Sequence, residues 1–220
     1  MHWVSRIALA VCTLGVAGIG SSCNLDPVHR AGVNNLGPER DDLYPPESEF
    51  HRPGEPCALC HSKEGPADSE FVLAGTIFWW DDPNDNQNRS YNDRVDQAYV
   101  RVLDANKTKK CFVTNCNGNF FVRPEDFQRI TFPLLISVER VKDPGKNENE
   151  SIAIRRMTGH IGREPSCAIC HIQGIRDFAS PDQIRLFDSE AQFKAANVKI
   201  AACPPLPEDP PPVRLCPEDR

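Results

Sequence analysis

Two pentapeptides carry the most specific chemistry in this chain: Cys57-Ala58-Leu59-Cys60-His61 and Cys167-Ala168-Ile169-Cys170-His171. Both read C-x-x-C-H. Two thiols one turn apart are spaced to form thioethers with the two vinyl groups of a haem, and the His that follows then points back at the iron. A zinc ribbon also uses C-x-x-C pairs, but a His directly after each pair and an oxidising compartment favour haem. A thioredoxin-like redox pair needs a surrounding βαβ pattern, which is absent. The spacing therefore implies two covalently bound haem c groups, attached through Cys57, Cys60, Cys167 and Cys170, with His61 and His171 as proximal iron ligands.

The motifs sit inside a longer repeat. Segment 51–61 aligns with segment 160–171 with one residue inserted, and both copies hold a Glu-Pro pair before the first thiol and a His at the head. Such internal symmetry implies that each unit does the same job. It makes His51 and His160 the candidate distal ligands of two bis-His irons, a set that lies at lower potential than His/Met. His29 and Met157 are the reserves, and Met157 stands three residues before His160. The bland alternative is that His51 and His160 are surface-loop residues beside Pro and Gly. A ligand six or seven residues before its own motif is sterically awkward, so a crossed arrangement of adjacent haems is expected.

These segments must be held by something, and the intervening chain reads as β structure. Phe71 to Trp80 is strand-like. Ala98 to Leu103 alternates apolar and polar positions, as a half-buried strand does. Lys110–Thr114 and Phe120–Arg123 flank Asn117-Gly118, a hairpin signal. Phe132 to Val141 closes the set. The expected product is a small antiparallel sandwich. Of the adjacent Trp79 and Trp80, one is expected in the core and the other against a haem edge. The Asp82–Asp93 loop alternates oxygen-bearing side chains as calcium loops do, but lacks their Gly; a solvated loop is the default. Beyond the second motif, Pro181 to Val198 reads as a helix by its apolar spacing.

The chain has 220 residues and a formal net charge of −6, from 25 Lys and Arg against 31 Asp and Glu. That balance argues against nucleic acid as a partner, since phosphate binding needs a basic surface. The 20 prolines exceed the 13 glycines, which favours extended, loop-rich structure over a helical bundle. Residues 1–22 read as a signal peptide: Arg6, an uncharged apolar run from Ile7 to Gly20, then small residues ending at Cys23. The run is short for a spanning helix, which needs about 20 apolar residues. Ten cysteines fit an oxidising compartment. Apart from Cys12, Cys23 and the motif thiols, Cys111, Cys116, Cys203 and Cys216 are expected as disulfides. Local pairs, 111–116 and 203–216, are favoured, although four thiols allow three connectivities. From Cys203 onward the Pro-rich sequence reads as extended and poorly ordered.

Three resemblances follow. Small residues ending in Cys23 resemble a bacterial lipoprotein signal, which implies lipidation of Cys23 and attachment to a bilayer; a plain secretory signal cut after Ala17 is the alternative. Residues 70–142, through Ala74-Gly75-Thr76, the Ala98–Asp104 strand and Thr114-x-x-x-Gly118-x-Phe120, resemble the transthyretin-like, carboxypeptidase-regulatory-type sandwich. The haem portions resemble a multihaem c-type cytochrome. The resulting expectation is a mixed fold, a small antiparallel β-sandwich inserted in a loop and helix dihaem cytochrome c region. Its segments are a signal peptide (1–22), a first haem segment (23–69), the sandwich (70–142), a second haem segment with a C-terminal helix (143–200) and a Pro-rich tail (201–220). The implied function is non-enzymatic single-electron transfer between redox protein partners, in the periplasm or at the bacterial cell surface, either lipid-anchored or soluble. Two rivals are a surface interaction or adhesion module with structural haems, and a dihaem peroxidase.

Overall fold

The computed structural model describes residues 27–38, 48–80, 94–144, 150–172, 176–177, 180–200, 203 and 213–217. The signal segment, Cys12, Cys23 and the Asp82–Asp93 loop lie outside these residues, as does the side chain of His29. The chain divides into two compact units, residues 1–37 and 38–220. In the first, helix α1 (Pro27–Leu36) opens on a proline, whose missing N–H costs nothing at the first helical position. It is followed by Gly37 at φ 69°, the left-handed position that glycine fills past a helix end.

The second unit is built mostly of antiparallel sheet. Strands β1 (Leu73–Thr76), β2 (Tyr99–Leu103), β3 (Lys109–Val113), β4 (Asn119–Val122), β5 (Leu135–Val141) and β6 (Ser151–Arg156) form a two-stranded sheet, β1-β4, and a four-stranded sheet, β3-β2-β5-β6. Their inner faces share one core. Leu73, Phe120 and Val122 come from the small sheet, and Val100, Val102, Phe112, Ile136 and Val138 from the large one. Alternation along β2 and β5 is the physical reason, because every second side chain points inward. A short pair, β7 (Arg176–Asp177) and β8 (Ser180–Pro181), follows the second motif.

The structure departs from the sequence expectations in four places. First, Asn117-Gly118 does not close a hairpin: β3 pairs with β2, and β4 pairs with β1. The turn carries the chain from one sheet to the other, with Gly118 at φ 72° and its carbonyl accepting from Ile77 N–H at 2.9 Å. Second, the large sheet runs beyond residue 142, because Ser151–Arg156, assigned above to the second haem segment, pairs along β5. Third, the helix expected over 181–198 is confined to α2 (Glu190–Ala196). Residues 184–187 lie extended beside Phe78 and Trp79, with Leu186 N–H donating to the Phe78 carbonyl and Phe187 N–H to that of Trp79. Ser189 then caps the helix, its hydroxyl accepting from Gln192 N–H. Trp79 is fully buried against Phe187 and Phe193, while Trp80 stacks on Phe193 at 4.4 Å.

Fourth, the disulfides are Cys111–Cys216 and Cys116–Cys203, not the local pairs. The tail explains this. Residues 214–216 run antiparallel to β3, with Val113 N–H donating to the Arg214 carbonyl at 2.7 Å and Cys216 N–H to that of Cys111 at 3.1 Å. Leu215 bridges Phe112, so the register sets Cys216 opposite Cys111. Part of the tail expected to be poorly ordered thus covers an edge strand that would otherwise present unpaired backbone groups. The two disulfides indicate an oxidising, extracytoplasmic environment. Among the described residues no helix is long and apolar enough to cross a membrane.

Candidate functional site

Strand β1 lies at the centre of the site. Its side chains are buried in the core, and both C-x-x-C-H turns pack against it. The first is tied to it by Gly54 N–H, which donates to Thr76 Oγ1 at 2.7 Å. The second runs along its edge: Ala74 N–H donates to the Pro165 carbonyl at 2.8 Å, and Ala74 and Ser166 form a parallel bridge. Gly75 permits this approach. A Cβ there would stand 2.7 Å from Cys167 Sγ, 2.8 Å from its Cβ and 3.1 Å from Phe120 Cε1. Gly75→Ala is therefore expected to cost about 1–3 kcal/mol, the usual penalty for overpacking. Gly159→Ala, with nothing within 4 Å, is the control and should stay within about 0.5 kcal/mol in the same urea titration.

The two motifs share one backbone conformation. Each begins in a 3-10 turn, Cys57–Leu59 and Cys167–Ile169. In the first, the Cys57 carbonyl accepts from Cys60 N–H at 3.1 Å and His61 N–H at 2.9 Å; in the second, the Cys167 carbonyl accepts from Cys170 N–H at 3.2 Å and His171 N–H at 2.9 Å. Cys60 and Cys170 have φ, ψ of −99°, −38° and −98°, −36°. All four thiols are unpaired. Cys57 and Cys60 are half-buried, Cys170 is exposed and Cys167, 8% exposed, is part of the core. Burial pushes the Cys57 and Cys167 thiols up to about 12, and Cys57 adds to the upward shift at Cys167. Burial also raises Cys60, against the lowering effect of Arg52.

Both motif histidines are oriented in the same manner. His61 Nδ1 donates to the Ser69 carbonyl at 3.0 Å, with Ser69 Oγ at the same distance, and the ring stacks on Phe71 at 4.0 Å. Phe71 in turn stacks on Phe121 of β4. Burial lowers the His61 pKa, opposed by the Ser69 carbonyl and reinforced by His51. His171 Nδ1 donates to the Asp182 carbonyl at 2.7 Å. Asp182 stands at φ 65°, and its carboxylate accepts from Arg185 at 2.8 Å. A carbonyl on Nδ1 fixes the tautomer and leaves the Nε2 lone pair to a metal. Sequence reasoning missed Ser69 and Asp182 as orienting residues, because a main-chain acceptor carries no residue-type signal.

The distal candidates are treated unequally. His51 lies beside its own motif's histidine, with ring centroids 5.8 Å apart at 34°. Its Nδ1 bonds the Ser48 carbonyl. Between the two histidines the chain makes a tight reversal through Arg52 at φ 45° and Gly54 at φ 77°, with Arg52 paired to Glu55 at 2.7 Å. His160 is exposed, and no ring contact joins it to His171 among the described residues. Met157 packs on the core and donates its N–H to the Ile136 carbonyl at 3.0 Å, in a groove with Arg101 and Arg156 over the large sheet. Among the described residues no three His, Cys, Asp or Glu side chains gather as a metal-ligand cluster. A structural zinc site needs four such donors.

Comparison with protein-family models, with curated proteins and with solved structures gave no match for this chain.

Proposed function

We propose that this chain is a secreted dihaem c-type cytochrome that passes single electrons between redox protein partners. The observation that carries the reading is the duplicate geometry: two C-x-x-C-H turns of the same conformation, each with unpaired thiols and each with its histidine's Nδ1 held by a backbone carbonyl. Those donors fit haem c. Cys57 and Cys60 would hold one group and Cys167 and Cys170 the other, with His61 and His171 on the irons. Bound there, the groups supply reversible one-electron chemistry. The protein's part is to fix ring orientation, shelter the thioethers and keep both attachment turns against one strand. The sheets around β1 serve as scaffold, in keeping with the transthyretin-like resemblance. Lipidation at Cys23 would add a bilayer anchor, and the pair of disulfides supports a location outside the cytoplasm.

His51 is the sixth ligand this geometry favours for the iron on His61. His51→Ala is expected to convert one of two low-spin haems to a high-spin or water-ligated form, read by electron paramagnetic resonance, and exogenous imidazole should restore it. An unchanged low-spin pair contradicts the assignment.

One observation favours a second reading. His160 is exposed, and among the described residues no ring contact joins it to His171. If the iron on His171 keeps an exchangeable sixth position, peroxidase-type chemistry becomes available at that site. Ferric spectra of the unmodified protein discriminate: low-spin signals from both haems support electron transfer, and one high-spin signal supports the enzyme.

A further inference from the structure

We infer that Asn115 and Asn117, on the turn between β3 and β4, and Asn119, the first residue of β4, are positioning residues for His51. The inference rests on the reading of His51 as an iron ligand. The three side-chain amides address three consecutive carbonyls of the distal loop. Asn115 Nδ2 donates to Glu49 O at 2.7 Å, Asn117 Nδ2 to Phe50 O at 2.5 Å and Asn119 Nδ2 to His51 O at 3.1 Å. Asn117 is fully buried and Asn115 nearly so. A buried amide that lost its acceptor would leave an unsatisfied donor, so the register of the loop is stiffly determined.

The turn is itself braced. Asn115 Oδ1 accepts from Asn117 N–H and Asn119 N–H, each at 3.0 Å, and Arg94 donates to Asn117 Oδ1. Cys116, between two of the amides, is joined to Cys203. Asn119 links to the other end of the loop. Its Oδ1 accepts from Thr76 Oγ1 at 2.8 Å, and Thr76 Oγ1 accepts from Gly54 N–H at 2.7 Å. Thr76 and Asn119 are register partners across β1 and β4, so a single cross-strand pair fixes the loop on both sides of His51. Glu49 is held from the tail as well, accepting from Arg214 at 3.2 Å. The hydrogen bonds fix the main chain that carries His51, whose ring lies beside His61 with its Nδ1 on the Ser48 carbonyl.

The test uses near-isosteric changes that spare the haem-attachment residues. Asn119→Asp keeps the acceptor but removes the donor to His51. Thr76→Val removes both hydroxyl links, and Thr76→Ser keeps them. In the full mature protein, Asn119→Asp and Thr76→Val should produce a high-spin fraction at one haem only and raise that haem's affinity for added imidazole at least tenfold. Thr76→Ser should match the unmodified protein. In the haem-free chain, the nuclear Overhauser contact between the His51 and His61 rings should weaken in the first two variants and persist in the third. Wild-type spectra and ring contacts in Asn119→Asp and Thr76→Val overturn the inference, as does equal perturbation of both haems. An unmodified protein without haem defeats the proposed function instead, and the ring-contact measurement still decides the positioning role.

Discussion

Replacing Cys111 and Cys216 by serine is expected to lower stability by about 3 kcal/mol, and replacing Cys116 and Cys203 in addition should cost still more. The reason is nesting. Cys116–Cys203 spans 87 residues of sequence and lies inside Cys111–Cys216, which spans 105. While the inner bond persists, the outer one closes only a short circuit through 111–116 and 203–216. A loop of roughly 15–20 residues corresponds to about 3 kcal/mol of unfolded-chain entropy. Once the outer bond is gone, the inner one closes a long loop on its own, worth about 4.6 kcal/mol in the same treatment. The sum, about 7–8 kcal/mol, is comparable to the whole stability of many domains. Urea titrations of the two paired variants and the fourfold variant check this. Local pairs 111–116 and 203–216 would instead lose both bonds in either paired variant, so the fourfold variant would be no less stable than either.

The second large effect lies in the motifs. Cys57→Ala with Cys60→Ala should give a protein with half the haem absorbance per chain, one haem remaining, and both disulfides intact. Cys167→Ala with Cys170→Ala should also remove one haem but be the less stable of the two variants. Cys167 is a core side chain against Gly75 and Phe120, whereas Cys57 and Cys60 are half-buried on a turn. Covalent haem counted by mass, together with denaturation midpoints, reads both effects. Equal stability of the two variants contradicts the packing account of the second motif.

Much of the architecture around the motifs was readable because it depends on local periodicity. The alternation of Ala98–Leu103 and of Phe132–Val141 predicts strands, and β2 and β5 occupy those stretches as antiparallel partners. What failed depends on partners far away in sequence. Asn117-Gly118 makes a turn, but the turn alone does not say whether the next strand pairs with the preceding one or crosses to Leu73–Thr76. Ile152 and Ile154 alternate as plainly as β2, yet the reading of that region as haem segment hid them. The apolar spacing of Ile184 and Phe187 mimics a helix, while Phe78 and Trp79 claim that segment as an extended neighbour. The disulfide partners likewise follow from the tail lying along β3, which no spacing of cysteines reveals.

In the candidate site, the C-x-x-C-H residues and His51 stand out in the sequence as residue types at a spacing. Their supports were not. Ser69 and Asp182 contribute carbonyls, and Thr76 with the three asparagines reads as ordinary strand and turn chemistry until the loop carrying His51 is seen beneath them.

The central claim is decided by the haem content of the mature protein purified from cells that mature c-type cytochromes. Alkaline pyridine haemochrome spectra, with haem that resists acid-acetone extraction, should report two haems per chain. A colourless product whose motif sulfurs are free, zinc-bound or paired with one another would contradict it.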